Sequence, residues 1–97
     1  MSESLRTISP VDGSVYVERP LAGAAEINKA LDVARAAQAE WRNVPVATRQ
    51  EILRKAVAAF VAKKDEIAAE ISWQMGRPIS QAGGEVNGFK ERADYMI

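Results

Sequence analysis

Apolar positions change their spacing once along the chain, near residue 24, from a period of two to a period of three or four. Before that point, residues 5–8 (LRTI) form a short, partly β-branched run. Residues 14–19 (SVYVER) alternate, with Val15 and Val17 on one face and Tyr16 and Glu18 on the other. The string between them, SPVDG, is turn chemistry. Pro10 presets φ, and Asp12-Gly13 supports a positive φ. The pattern predicts a β-hairpin over residues 5–20, ended by Pro20. A lone two-stranded hairpin is marginal in water, so it needs the helices, or a sheet outside these residues, to pack against.

Four helical stretches follow. Over 24–42, Ile27, Ala30, Leu31, Ala34, Ala37 and Trp41 step by three or four and make one apolar stripe. Glu26 suits the positive end of this helix and Arg42 its negative end, while Gly23 is a weaker cap than Ser or Asp. Asn43-Val44-Pro45 breaks the run, because the residue before a proline avoids the α region. Over 46–63 the stripe is Ile52, Leu53, Ala56, Val57, Phe60 and Val61. Glu51 and Lys55 form an i,i+4 pair on the wet side, worth a few tenths of a kcal/mol.

The string KKDE marks a break, with Asp65 as the expected cap of a helix over 65–75 that carries Ile67, Ala68, Ile71 and Met75. A single bent helix over 46–75 is the alternative. Gly76 then reads as the residue just past a helix end, with Pro78 two beyond it. Over 79–97, Ile79, Ala82, Val86, Phe89, Ala93 and Met96 run close to a heptad seam. Gly83, Gly84 and Gly88 interrupt it at about 1 kcal/mol each relative to alanine, and their expected use is close approach of another backbone. The final ADYMI is apolar and uncapped, unlike the usual polar terminus. It reads as a helix cut in mid-stripe and the chain as a fragment. The expected fold is mainly α with a short N-terminal hairpin (α+β): three to four antiparallel helices in a single unit.

Composition narrows the chemistry. Thirteen basic residues balance thirteen acidic ones, which argues against nucleic-acid partners and anionic membranes, whose phosphates call for a net basic face. A helix-turn-helix reading fails for the same reason. The longest apolar run is far short of a membrane span, and the first residues lack the basic-then-apolar pattern of a secretory signal; the expected location is the cytoplasm. The chain has no Cys and no His. Thiolate nucleophiles, disulfides, imidazole bases and Cys/His metal sites are therefore excluded for these 97 residues. No catalytic, cofactor-binding or metal-binding residue is assigned.

The order of elements and several strings resemble the N-terminal segment of the aldehyde dehydrogenase superfamily. ISPVDGSVYVERPLA is similar to that family's opening hairpin, with Pro10 and Gly13 in place and Ser9 where Asn is usual. AEINKALDVARAAQAEWRNVP resembles the alanine-rich helix that follows and its Ala-x-x-x-Trp ending. In the run from Thr48 to Ile79, Arg49, Leu53, Asp65, Gly76 and Pro78 fall in register. Arg77 replaces a usual Lys, and Met75 a usual Thr, Asn or Ser. GGEV resembles the start of the next helix. The resemblance implies an enzyme that oxidises aldehydes to carboxylic acids with NAD or NADP, through a cysteine nucleophile and a glutamate base. Both residues and the cofactor-binding sheet lie beyond residue 97 in that family, so no position here takes those roles. The implied partners are the remainder of the aldehyde dehydrogenase chain and further copies in a homo-oligomer. A helical self-association module without enzymatic activity is the competing reading.

Individual residues carry two readings each. Glu85 is a first-turn acid suited to the helix dipole. Alternatively it matches a carboxylate that, with a hairpin carbonyl near Ile8, holds a monovalent cation in some family members. Arg77 reads as a cap for helix-end carbonyls, or as an anion ligand. Lys63-Lys64 reads as a solvated edge, and Trp41 as core or as an exposed anchor for a partner. Trp73 falls off the Ile67-Ile71-Met75 face and is open to a partner, and Tyr16 faces solvent or a neighbouring subunit.

Overall fold

A computed structural model describes residues 3–97. Two strands, β1 (Ser4–Ile8) and β2 (Val15–Pro20), precede four helices: α1 (Ala24–Trp41), α2 (Val46–Val61), α3 (Lys64–Met75) and α4 (Ile79–Met96). The strands pair antiparallel, and the ladder slips between Thr7, opposite Val17, and Ile8, opposite Val15. The residue left without a cross-strand partner is Tyr16. A bulge of this kind bends the strand and re-aims the side chain it carries. The turn is built as its composition demands: Gly13 takes φ +76°, and Asp12 Oδ1 accepts from the Ser14 N–H at 3.0 Å and its hydroxyl at 2.6 Å.

The helix ends differ from expectation in detail. α1 stops at Trp41, so Arg42 follows the last turn rather than lying in it. Ala62 and Lys63 separate α2 from α3, which excludes one bent helix over 46–75. Lys63, not Asp65, occupies the cap position of α3, with no side-chain bond; Asp65 and Glu66 fall in the first turn, where their charge complements the N-terminal N–H groups. Gly76 closes α3 in the left-handed conformation at φ +75°. Pro78, at φ −55°, then sets the start of α4, accepting from the Ala82 N–H at 3.0 Å.

Packing is thin. α4 lies against α3 and, over its second half, against α2. The buried apolar residues are Val57, Ala68, Ala82 and Val86. The α4 stripe therefore splits: Ala82 and Val86 are covered, while Ile79, Phe89 and Met96 stay exposed. Met75, on the expected core face of α3, is also exposed. α1 buries no residue along its whole length.

The molecule measures 49 × 40 × 16 Å, with a radius of gyration of 17.6 Å. A compact domain of this length has a radius of about 13 Å, and one helix with its side chains is about 10–12 Å across. The helices thus lie in a plate one layer thick. The accessible surface is 7786 Å², whereas a compact monomer of 10.6 kDa exposes about 5,500 Å². Stable domains bury their apolar faces between at least two layers, and only one is present among the described residues.

Candidate functional site

Two features stand out: a polar corner where the hairpin meets the α3–α4 turn, and an apolar groove between α2 and α4. The corner is organised by Ser9, which is wholly buried. Its hydroxyl donates to the Trp73 carbonyl at 2.5 Å and accepts from the Val11 N–H at 3.2 Å. Its own N–H donates to the Ser14 carbonyl, and its carbonyl accepts from the Gly13 N–H, both at 2.8 Å. Trp73 lies in the last turn of α3, where carbonyls lack intrahelical donors. Ser9 thus supplies a donor that the helix cannot.

Two further contacts reinforce the corner. Pro10 packs on Gly76 so closely that a Cβ there would meet the proline ring at 2.9 Å. The bulged Tyr16 stacks on Trp73, with centroids 6.5 Å apart and planes 9° from parallel. Trp73 and Tyr16 therefore face each other, although Trp73 remains partly open to solvent.

Arg77 does not cap carbonyls. Its guanidinium pairs with the Glu85 carboxylate across the turn. Glu85 itself lies in the second turn of α4, not the first. It is committed to Arg77, and among the described residues no group of three His, Cys, Asp or Glu side chains gathers as metal ligands would. Lys64 departs from the expected solvated edge. Its Cε lies 3.0 Å and its Nζ 3.8 Å from where a Gly83 Cβ would stand, so the half-buried lysine lies along α4. Gly84 and Gly88 have nothing within 4 Å of their missing side chains. The expected close approach of another backbone to these glycines does not occur among the described residues.

The groove is lined by Leu53, Phe60, Phe89 and Met96, with Val57 at its floor, and encloses about 440 Å³. Phe60 and Phe89 meet across it at 4.4 Å between centroids. A smaller hollow of about 220 Å³ extends it past Leu53 and Met96 to Trp41, Arg49 and Gln50. Trp41 is half-buried there rather than in a core. Gln50 Nε2 donates to the Ile97 carbonyl at 2.6 Å, whereas the buried Nε of Arg49 has no acceptor among the described residues.

The Ser14 hydroxyl, then the Ser14 N–H, hold the Asp12 carboxyl below the ordinary aspartate value. It sits exposed on a hairpin turn. Sequence reasoning placed Ser9 in the turn, where the family usually has Asn, but did not anticipate its burial or its bond to Trp73. It also did not anticipate the Arg77–Glu85 pair.

One family matches along the entire chain. The family model described as "Aldehyde dehydrogenase family" covers residues 1–97. This chain belongs to the aldehyde dehydrogenase family. Its relatives include 3,6-anhydro-alpha-L-galactose dehydrogenase of Streptomyces coelicolor, 31% identical over 94 residues, or 97% of this chain and 19% of the relative. The NAD(P)+ succinate semialdehyde dehydrogenase Sad of Escherichia coli K12 is 39% identical over 80 residues, or 82% of this chain and 17% of the relative. Malonate-semialdehyde dehydrogenase 1 of Bacillus licheniformis is 31% identical over 85 residues, covering 88% and 18% respectively. The chain thus spans about a fifth of the length of these curated aldehyde dehydrogenases.

The described residues of this aldehyde dehydrogenase chain lack the glycine turn on which a dinucleotide cofactor rests. Such a cofactor seats its pyrophosphate on a glycine turn between a parallel strand and a helix. Here the strands form one antiparallel hairpin, Gly76 is filled by Pro10, and Gly83, Gly84 and Gly88 lie inside a helix.

Proposed function

We propose that these 97 residues serve as the N-terminal structural segment of an NAD(P)-dependent aldehyde dehydrogenase, which oxidises an aldehyde to a carboxylic acid. The observation that carries this reading is the family match along the whole chain, in a segment one-fifth the length of its relatives. The segment binds no cofactor and supplies no catalytic group, in keeping with its lack of Cys and His. Its partner is the remainder of the aldehyde dehydrogenase polypeptide, and the complete enzyme is a homo-oligomer. The one-layer plate supports that assignment, since it presents apolar faces for a second layer. Arg49 supports it too: a buried guanidinium nitrogen without an acceptor suits a surface that brings a carbonyl or carboxylate to it.

The test is direct. The purified chain is incubated with NAD or NADP and an aldehyde, and both NAD(P)H formation and cofactor binding by calorimetry are followed. Neither is expected. Turnover, or stoichiometric binding of either dinucleotide, would overturn the proposed division of labour.

A further inference from the structure

The hollow of about 220 Å³ at the C-terminal end of α4 holds a charge that nothing around it answers. Arg49, near the start of α2, lines this hollow, and its Nε is buried without an acceptor among the described residues. Its guanidinium joins none of the ion pairs found among those residues. The other lining residues, Trp41, Val46, Gln50, Leu53, Met96 and Ile97, bring no carboxylate side chain to it. An arginine keeps its proton in proteins, and a charge drawn out of water is ordinarily paired. A carbonyl would satisfy one N–H and leave the charge unmatched. A carboxylate takes two guanidinium N–H groups together in parallel bonds and matches the charge as well.

The hollow is also where the polypeptide leaves α4. Ile97 lines it, and the Ile97 N–H still donates to the Ala93 carbonyl at 2.9 Å, as in a helix. Gln50 Nε2 holds the Ile97 carbonyl at 2.6 Å. Gln50 therefore grips the exit, and its neighbour Arg49 stands beside that exit with an unused donor. The chain covers 19% and 17% of two of its relatives, so most of the polypeptide in those proteins lies outside the matched segment. Resting on the reading of this chain as an N-terminal structural segment, we infer that Arg49 pairs with a carboxylate side chain on the segment that directly follows Ile97. The pair locks the exit of α4 onto α2 and joins the remainder of the enzyme to this segment by charge as well as by apolar cover.

Arg49→Met removes the charge and keeps an unbranched apolar stem. It is placed in two settings. One is this chain with a Gly-Ser tail after Ile97, which moves the terminal carboxylate away from the hollow. The other is a chimera in which the 97 residues replace the matching segment of the Escherichia coli enzyme Sad. In the tailed chain the helical circular dichroism should be unchanged or larger, since no partner is lost. In the chimera the thermal midpoint should fall by at least about 2 °C, because a buried carboxylate loses its counter-charge. Converting the Asp and Glu residues directly after the junction to Asn and Gln should lower it likewise. The two changes together should cost no more than the larger of them alone, as expected of one shared contact. An equal loss in both settings, no loss in the chimera, or additive losses there overturns the inference. Turnover of succinate semialdehyde by the chimera with Arg49 intact tests the underlying reading separately. An active chimera that is indifferent to Arg49→Met overturns the pairing alone, whereas an inactive one overturns both.

Discussion

Replacing Ser9 with alanine should free the hairpin from the helical plate. The hydroxyl makes two bonds at once, to the Trp73 carbonyl at 2.5 Å and from the Val11 N–H at 3.2 Å, and the residue is 0% exposed. Alanine removes both bonds and leaves the Trp73 carbonyl and the Val11 N–H, in a part-buried corner, without that partner. A net hydrogen bond is worth about 0.5–1.5 kcal/mol, and an orphaned buried partner costs about 1–3 kcal/mol. With one carbonyl and one N–H affected, the expected loss is about 2–3 kcal/mol. That is a large share of what a four-residue apolar core can sustain. The assay is urea unfolding at fixed protein concentration, followed by circular dichroism and by tryptophan emission. A Trp41→Phe background leaves Trp73 as the reporter, since the chain has two tryptophans. The Ser9→Ala chain should unfold at lower urea, and its Trp73 emission should shift before denaturant is added, as Tyr16 lifts away. A loss below about 0.5 kcal/mol, the scale of an ordinary surface substitution, with unchanged emission would refute the corner as the hairpin's anchor.

Gly76→Ala meets both a left-handed φ of +75° and the Pro10 ring at 2.9 Å. It should cost about 1–3 kcal/mol in the same urea assay. Gly84→Ala and Gly88→Ala enter open space in a helix interior, so each should stabilise the isolated chain by up to about 1 kcal/mol, seen as a higher melting temperature. The Asp12 carboxyl lies below its ordinary value because the folded turn binds its charged form through Ser14. A depressed carboxyl contributes stability above its unfolded pKa and loses it as pH falls through the folded one. The turn should therefore hold at neutral pH and loosen only in acid below the usual aspartate range. An NMR titration of the Asp12 carboxyl carbon, with midpoint at or above that range, would contradict this.

What could be read from the sequence was what is local. The switch from alternation to helical spacing near residue 24 marks the hairpin and helices, because each period reflects backbone geometry. Gly76 and Pro78 are punctuation for equally local reasons: one tolerates φ of +75° and the other cannot continue a helix. The failures come from tertiary contacts. Ser9 is a polar turn residue whose burial depends on α3, far along the chain. Arg77 and Glu85 are eight residues apart, a spacing that brings them together only because the chain turns between helices. The Trp41 stripe on α1 has core periodicity, yet the plate has no second layer to cover it. Periodicity shows which face wants burial but not whether the same chain supplies the cover.

The central claim is that this chain is an interchangeable N-terminal structural segment of an aldehyde dehydrogenase. The most direct measurement replaces the matching segment of the Escherichia coli enzyme Sad, with which the chain shares 39% identity over 80 residues, by these 97 residues. NAD(P)-dependent oxidation of succinate semialdehyde by the purified chimera is then followed. Soluble chimera with turnover, reduced when Ser9→Ala is introduced, is the predicted result. A chimera that folds but does not turn over, or one that remains insoluble, would contradict the claim.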